Sequence, residues 1–131
     1  MRVLIDTSFL MLPGRMNLDI FTQLDKLLGP CEKVTLDACI RELEGLATGN
    51  SREAKNAKLG LQLAKAKGLV LLKAGSNLRV DDALIEVAAE QGADSSGSML
   101  LASADAELRR RARARGIKTV CMRKKQVLEV L

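Results

Sequence analysis

The sequence predicts a three-layer α/β/α domain, in which helices cover both faces of a central parallel sheet of about five strands. Three observations lead to this prediction. Short apolar runs alternate with amphipathic segments, the first run is rich in β-branched residues as in strands buried on both faces, and no shift in composition marks a domain boundary. We therefore expect one domain over residues 1–131, which is long enough to bury a genuine core.

The predicted strands are short apolar runs, most of which stop just before a polar residue. They lie at residues 3–5, 33–36, 69–72, 99–102 and 117–121. Parallel strands need crossover connections, and such connections are almost always right-handed. The segments between the runs are therefore expected to form helices that pack back onto the sheet.

The connecting segments carry helix signals. An apolar stripe over residues 20–28 follows Asn17, the expected cap, and Gly29 is expected to end this helix. Further helices are predicted at residues 37–46, 50–67, 81–92 and 103–116. Asp37 and Asn50 are the expected caps of the first two of these.

The remaining segments are typical of turns and loops. Leu12-Pro13-Gly14 predicts a turn, residues 74–77 a loop, and residues 93–97 the most loop-like stretch of the chain. Neither an internal repeat nor a low-complexity tract is present in the sequence. The chain is thus expected to consist of helices and strands joined by short connections.

Two features of the composition restrict the chemistry. The sequence has no histidine, which excludes Ser-His-Asp hydrolysis, His-ligated zinc and catalysis by imidazole. Aromatic residues make up only 2% of the chain, so base-stacking platforms for reading single-stranded RNA are missing. Hydrolysis would therefore rest on carboxylates that hold a hard metal ion. The net charge of +5 is compatible with contacts to nucleic-acid phosphates.

The cysteines and the termini bear on the compartment. Cys31, Cys39 and Cys121 contain no C-x-x-C pair and are expected to be reduced. No apolar run approaches the ~18 residues of a transmembrane helix, and the first strand begins too early to leave room for a signal peptide. We expect a cytoplasmic protein that does not contact a membrane.

Four acids lie at or just past the predicted carboxyl ends of strands, each in a different strand–helix segment: Asp6, Glu42, Asp82 and Asp105. Ligands of open α/β sheets bind at this edge, and negative charges gathered in one crevice are costly unless a cation is bound. Each acid also has a purely structural interpretation as a helix cap or a first-turn residue. The expected convergence of all four favours a functional site. Asp81 and Glu107 are reserve candidates, although Asp81, next to Asp82, is expected to point elsewhere as the helix begins.

The chain resembles the PIN-domain nucleases. The resemblance rests on Asp6-Thr7-Ser8 after the first strand, Arg41-Glu42-Leu43, Asp82-Ala83-Leu84-Ile85, and Ser103-Ala104-Asp105 after the fourth strand. It covers essentially the whole chain and is strongest to the branch that processes ribosomal RNA. The resemblance implies a metal-dependent endoribonuclease whose site is built from three or four acids in this order.

The resemblance also implies roles for the site residues. Asp6 and Asp105 are expected to bind Mg²⁺ or Mn²⁺ directly, Asp82 to complete the site, and Glu42 to hold a metal-bound water or a second ion. The hydroxyl groups that are expected to support them belong to Thr7, Ser8 and Ser103. Ser8 stands where the family often has Asn, so the support of the first Asp is expected to be weaker or mediated by water.

Basic residues are dense in the last part of the chain and predict a track for RNA phosphates. The residues assigned to it are Arg109, Arg110, Arg113, Arg123, Lys124 and Lys125. The alternative is a solvated helix face whose cations suit the negative end of the helix dipole.

Three functions remain open at this point. The first is an endoribonuclease of RNA processing, and the second is the toxin of a toxin–antitoxin pair, which would use the same acids. The third is a PIN-like RNA-binding scaffold without catalysis. The expected partners are RNA, a second copy of the chain, and an antitoxin or a ribosome-assembly protein.

Overall fold

The computed structural model describes residues 1–74, 78–92, 98–124 and 127–131. It has a central sheet with helices on both faces, so the predicted three-layer α/β class is confirmed. The predicted loop at residues 93–97, and residues 75–77 of the loop predicted at 74–77, lie outside the described residues. Within the described residues, no helix has both the length and the apolar character needed to cross a membrane.

The sheet contains six strands in the described part of the chain. They are β1 (Arg2–Ile5), β2 (Glu32–Leu36), β3 (Val70–Leu72), β4 (Met99–Ala102), β5 (Thr119–Lys124) and β6 (Val127–Val130). Their spatial order is β3-β2-β1-β4-β5-β6, and the first five are parallel. The five predicted strands are therefore present. The antiparallel edge strand β6 was not predicted, because Val127 and Val130 are exposed and only Leu128 of this short segment is buried.

Seven helices cover the sheet in the described residues. They are α1 (Thr7–Leu10), α2 (Leu12–Met16), α3 (Ile20–Leu28), α4 (Asp37–Leu46), α5 (Arg52–Ala66), α6 (Val80–Gly92) and α7 (Ala106–Ala114). The residues of β1 alternate between the two layers. Val3 and Ile5 belong to the core on the side of α1, α3 and α5, whereas Leu4 belongs to the core beneath α6 and α7.

The predicted turn at Leu12-Pro13-Gly14 is wrong, since these residues form most of helix α2. Proline is compatible with the first turn of a helix, where its missing N–H would have no partner in any case. Asn17 does not cap the following helix. It ends α2 in the left-handed conformation (φ 51°), and Asp19 caps α3 by accepting a hydrogen bond of 3.1 Å from the N–H of Thr22.

Two further caps differ from the prediction by one residue. Ser51 rather than Asn50 caps α5, with its hydroxyl oxygen accepting the N–H of Ala54 at 3.1 Å. Asp37 is the first residue of α4 rather than its cap, and its carboxylate accepts the N–H groups of Ala38 and Ala74. These shifts occur because neighbouring residues have similar capping tendencies. The sequence does not indicate which of them is the last residue before the helical backbone conformation begins.

Helix α5 packs very closely against α1. A Cβ atom at Gly60 would lie 2.6 Å from the backbone oxygen of Leu10, and a backbone atom cannot move aside as a flexible side chain can. We therefore expect Gly60→Ala to lower the free energy of unfolding by about 1–3 kcal/mol, as measured by urea denaturation.

Gly45 of α4 is the matched control, because a Cβ atom there meets no atom within 4 Å. Gly45→Ala is expected to raise the free energy of unfolding by about 0.5–1 kcal/mol through helix propensity alone. Equal effects of the two substitutions would contradict the close packing of α5 on α1.

Candidate active site

The candidate site lies where the two central strands end. Ile5 of β1 is paired with Ala102 of β4, and the N–H of Asp6 donates to the carbonyl of Ala102 at 3.1 Å. Asp6 and Ser103, which directly follow these strands, are therefore neighbours. This is the carboxyl edge of the parallel strands, where open α/β sheets bind their ligands.

A cavity of about 220 Å³ opens at this edge. It is lined by four carboxylates, one from each of four separate segments: Asp6, Glu42, Asp81 and Asp105. The structure therefore brings together three of the four acids that the sequence singled out, together with one neighbour of the fourth. We call this cavity the acidic pocket.

Asp6 is the most buried acid of the acidic pocket, with 4% of its surface exposed. Its Oδ1 accepts the backbone N–H of Phe9 at 2.8 Å, and its Oδ2 accepts the hydroxyl of Ser103 at 2.6 Å. The Ser8 hydroxyl lies 2.8 Å from Oδ1 and 2.9 Å from Oδ2. Burial raises the pKa of Asp6 to about 6, although these hydrogen bonds act in the opposite direction.

The hydroxyls of Ser8 and Ser103 also fix the loop after β4. Ser8 Oγ accepts the N–H of Ala104 at 3.0 Å, and Ser103 Oγ accepts the N–H of Asp105 at 2.9 Å. Each serine therefore accepts one N–H from the loop and contacts the Asp6 carboxylate. The hydroxyl of Ser8 contacts the carboxylate directly, so of the two expectations for Ser8 the water-mediated one is wrong.

Asp105 combines its place in the acidic pocket with a cap. Its Oδ1 accepts the N–H groups of Glu107 at 2.9 Å and Leu108 at 3.3 Å, at the start of α7. The structural interpretation of this residue as a cap is thus observed, and it does not remove the carboxylate from the pocket. Capping instead holds its position, because two backbone donors determine how the side chain is oriented.

Glu42 enters the acidic pocket from the first part of α4. The hydroxyl of Thr7 donates to Glu42 Oε1 at 2.6 Å, so a residue of α1 orients an acid of α4. The sequence predicted that the Thr7 hydroxyl supports the acids of the site, without indicating which acid it contacts. In the structure the side-chain partner of Thr7 is Glu42, while Ser8 is the hydroxyl that contacts Asp6.

The acid that α6 contributes to the pocket is Asp81 rather than Asp82, contrary to the prediction. Asp81 lines the acidic pocket, and its negative charge contributes to the raised pKa of Asp6. Asp82 Oδ1 instead accepts a hydrogen bond of 2.5 Å from Arg111 Nη2 of α7. Successive helical residues point about 100° apart, so only one of two adjacent acids in a first turn can face the pocket.

Arg15 of α2 also lines the acidic pocket and was not singled out in the sequence. Of the described residues that line the pocket, it is the only basic one. Arg15 could not be singled out from the sequence because residues 12–14 predict a turn. A turn does not indicate in which direction the next side chain points. A short helix after the first strand would have placed Arg15 near Asp6.

The arginines of α7, and Arg115 at its C-cap, are largely engaged with other protein groups. Arg110 pairs with Glu107, and Arg115 pairs with Glu86. Arg109 Nη1 donates to the carbonyl of Ser103 at 2.8 Å. These contacts, which are largely exposed, are compatible with both a solvated helix face and a phosphate track.

The other residues assigned to the track differ in surroundings. Arg113 is exposed and lies 3.4 Å from the hydroxyl of Thr119, and Arg123 lies 3.7 Å from Glu129. Lys124 is exposed, and Lys125 lies outside the described residues. Binding of RNA by this set stays a prediction.

The oxygen ligands of the acidic pocket match the preference of a hard divalent cation. Mg²⁺ is usually bound through one or two carboxylates and keeps several waters. Among the described residues, no three acids or cysteines lie close enough together to form a ready-made metal site.

The fold and the site together define a class, which is a parallel α/β domain with an acidic pocket at the carboxyl edge of its sheet. The sequence profile of the PIN-like domain family matches residues 3–125. The chain therefore belongs to the PIN-like domain family, whose members are generally nucleases. A comparison with curated protein sequences gave no significant match.

Solved structures show the same fold. The structure of the PIN domain endonuclease Utp24 is similar with a TM-score of 0.80 and 23% identity, over 98% of this chain and 90% of that one. A domain of a functionally unknown protein from Methanocaldococcus jannaschii is similar with a TM-score of 0.65 and 18% identity, over 94% and 91%. A PilT N-terminus domain protein from Sulfolobus solfataricus has a TM-score of 0.55 and 14% identity, over 92% and 87%.

Proposed function

We propose that the protein is a divalent-metal-dependent endoribonuclease that hydrolyses RNA phosphodiester bonds in RNA processing. The observation that carries the proposal is the convergence of four carboxylates from four segments on one pocket at the carboxyl edge of the sheet. Membership of a family of nucleases and the fold shared with a PIN domain endonuclease support it. Ribosomal RNA as the substrate rests on the motif resemblance of the sequence.

The four acids of the pocket would have different roles in binding a divalent cation. Asp6 and Asp105 are the proposed direct ligands of Mg²⁺ or Mn²⁺, and Glu42 and Asp81 would hold its waters or a second ion. A bound cation would supply activation of water and stabilisation of charge on the phosphate oxygens. Asp81 takes the place that the sequence suggested for Asp82.

The hydrogen bonds around these acids keep their oxygens in place before a substrate arrives. Ser8 and Ser103 hold Asp6, and Thr7 holds Glu42. Because the hydroxyls are already oriented, little reorganisation is needed when an ion or a phosphate enters. The same serines tie the Asp105 loop to Asp6, so the two proposed ligands keep their separation.

A test of this function is cleavage of an end-labelled single-stranded RNA by the purified protein. We expect internal cleavage products in Mn²⁺ or Mg²⁺ and none in chelator. The neighbouring variants Asp81→Asn and Asp82→Asn form a matched pair in the same assay. Asp81→Asn is expected to lower the cleavage rate about 10-fold or more, whereas Asp82→Asn stays within about twofold of wild type.

Each of these results tests a different part of the proposal. Loss of cleavage in Asp82→Asn with full cleavage in Asp81→Asn would reverse the assignment of the α6 acid. The absence of metal-dependent cleavage in wild type would contradict the enzyme. A binding scaffold is the alternative outcome, and calorimetric titration with Mn²⁺ separates it from the enzyme because a scaffold need not bind the ion.

A further inference from the structure

The acidic pocket poses an electrostatic problem for a nuclease. Its proposed substrate is a polyanion, and four carboxylates line the pocket where the phosphate must come to lie. Divalent cations offset part of this charge, but they do not by themselves fix the direction of the strand. A basic side chain at the same pocket would attract the phosphate backbone and orient it.

Arg15 is a basic residue that lies at the acidic pocket. It lines the acidic pocket from α2, and its side chain is about half exposed, at 45%. It is the only basic residue among the described residues of the pocket. A guanidinium at the edge of an acidic pocket can bind a phosphate without being buried against the acids, because its stem spans several carbon–carbon bonds.

The backbone that carries Arg15 is held firmly. A Cβ atom at the preceding residue, Gly14, would lie 2.4 Å from Asn56 Oδ1 and 2.8 Å from Asn56 Cα, so α2 is in close contact with α5. Pro13 is buried at the start of the helix, and Asn17 ends it. The backbone of Arg15 is therefore held in place next to the acidic pocket, while its guanidinium stays accessible to solvent.

The ion pair that Arg15 makes is weak. Its Nη2 lies 3.4 Å from Glu53 Oε1, and the Glu53 side chain is 56% exposed. Exposed pairs contribute about 0–1 kcal/mol, so a phosphate can replace Glu53 at little cost. Arg111, in contrast, lies 2.5 Å from its carboxylate partner, and the side chain of Arg109 is engaged by the Ser103 carbonyl.

We propose that Arg15 binds a backbone phosphate of the RNA at the acidic pocket, and that it exchanges Glu53 for the phosphate when the strand is bound. A planar guanidinium forms two parallel hydrogen bonds to phosphate oxygens, which fix orientation as well as position. This assignment rests on the proposed function. It adds a substrate-binding residue outside the basic stretch of the last part of the chain.

The test measures RNA binding rather than cleavage. Fluorescence anisotropy of a labelled single-stranded RNA in chelator gives the affinity of each variant over a range of salt concentrations. Arg15→Ala is expected to bind the RNA about tenfold more weakly than wild type. The slope of log affinity against log salt concentration is expected to be smaller in magnitude by about 0.7. Arg15→Lys is expected to keep the salt dependence while losing part of the affinity, since it keeps the charge but not the planar fork.

Glu53→Gln separates phosphate binding from a structural role of the ion pair. If the pair only stabilised the fold, both Arg15→Ala and Glu53→Gln would weaken binding. The proposed exchange predicts opposite signs, because removing Glu53 frees the guanidinium and removes a negative charge. Arg115→Ala is the matched control, since it removes another half-exposed arginine–glutamate pair, and it is expected to bind like wild type.

The outcomes also separate this inference from the proposed function. Arg15→Ala with the affinity and salt dependence of Arg115→Ala would overturn the inference, as would the absence of RNA binding by wild type at low salt. Wild type that binds RNA through Arg15 but does not cleave it in Mn²⁺ would uphold the inference and contradict the enzyme. Wild type that cleaves RNA in Mn²⁺, together with Arg15→Ala that binds RNA like Arg115→Ala, would do the reverse.

Discussion

Asp6→Asn is expected to reduce metal-dependent RNA cleavage at least about 100-fold, because even residues that only orient metal ligands contribute about 10–100-fold. The amide preserves the size of the side chain, and its single oxygen can still accept the N–H of Phe9, while its NH2 group would donate to Ser103 Oγ in place of accepting the Ser103 hydroxyl. What it loses is the negative charge that a divalent ion needs. The measurement is the initial rate of cleavage of an end-labelled RNA in Mn²⁺.

Two further variants make this result interpretable. Asp105→Asn is expected to lose cleavage to a similar extent while keeping the start of α7, since Asn is as good a cap as Asp. Asp82→Asn is expected to retain cleavage, because Asp82 is paired with Arg111 and does not line the acidic pocket. Full turnover by purified, folded Asp6→Asn protein would remove Asp6 from the proposed site.

In the absence of metal, Asp6→Asn is expected to be more stable than wild type at pH 8 by as much as about 3 kcal/mol. Burial raises the pKa of Asp6 from its ordinary value of 3.8 to about 6, with a further contribution from the charge of Asp81. The folded protein therefore holds this proton more tightly than the unfolded chain. Wild type loses stability as the pH rises from about 4 through about 6, and the neutral amide does not.

Urea denaturation in chelator at pH 4 and pH 8 measures this difference. The advantage of Asp6→Asn should be large at pH 8 and should be mostly lost at pH 4, where the Asp6 carboxyl is protonated in the folded state and close to its ordinary pKa of 3.8 in the unfolded chain. A difference that is the same at both pH values would contradict the burial of a charged Asp6. Addition of Mn²⁺ should stabilise wild type more than Asp6→Asn, because an ion that binds only the folded state raises its stability.

The parts of the fold that follow from local pattern could be predicted from the sequence. The apolar runs place all five parallel strands. A central strand such as β4 is apolar because it is buried along its whole length, whereas the edge strand β3 is apolar although Val70 and Leu71 are exposed. Asp6 was found because it directly follows a strand, and Asp105 because it precedes a helix just after one, whereas Glu42 was found within the helix that follows β2. These are properties of near neighbours in the chain.

The errors at the start of the chain have a different cause. Helices α1 and α2 are too short to show a helical period, and Leu12-Pro13-Gly14 has the composition of a turn. Their conformation depends on contact with α5, where Gly14 and Gly60 allow the backbones to approach closely. Such a contact joins residues more than 40 positions apart, and no local pattern indicates it.

The sequence by itself determined the class of fold, the edge of the sheet where the acids gather, and the restriction to carboxylate chemistry that follows from the absence of histidine. Only the tertiary structure decided that Asp81 rather than Asp82 faces the acidic pocket, that Thr7 orients Glu42, and which basic side chain shares the pocket. The physical reason is that hydrophobic periodicity specifies the face of a helix that is buried, whereas the direction of each polar side chain depends on the rotation of that helix against elements from distant parts of the chain.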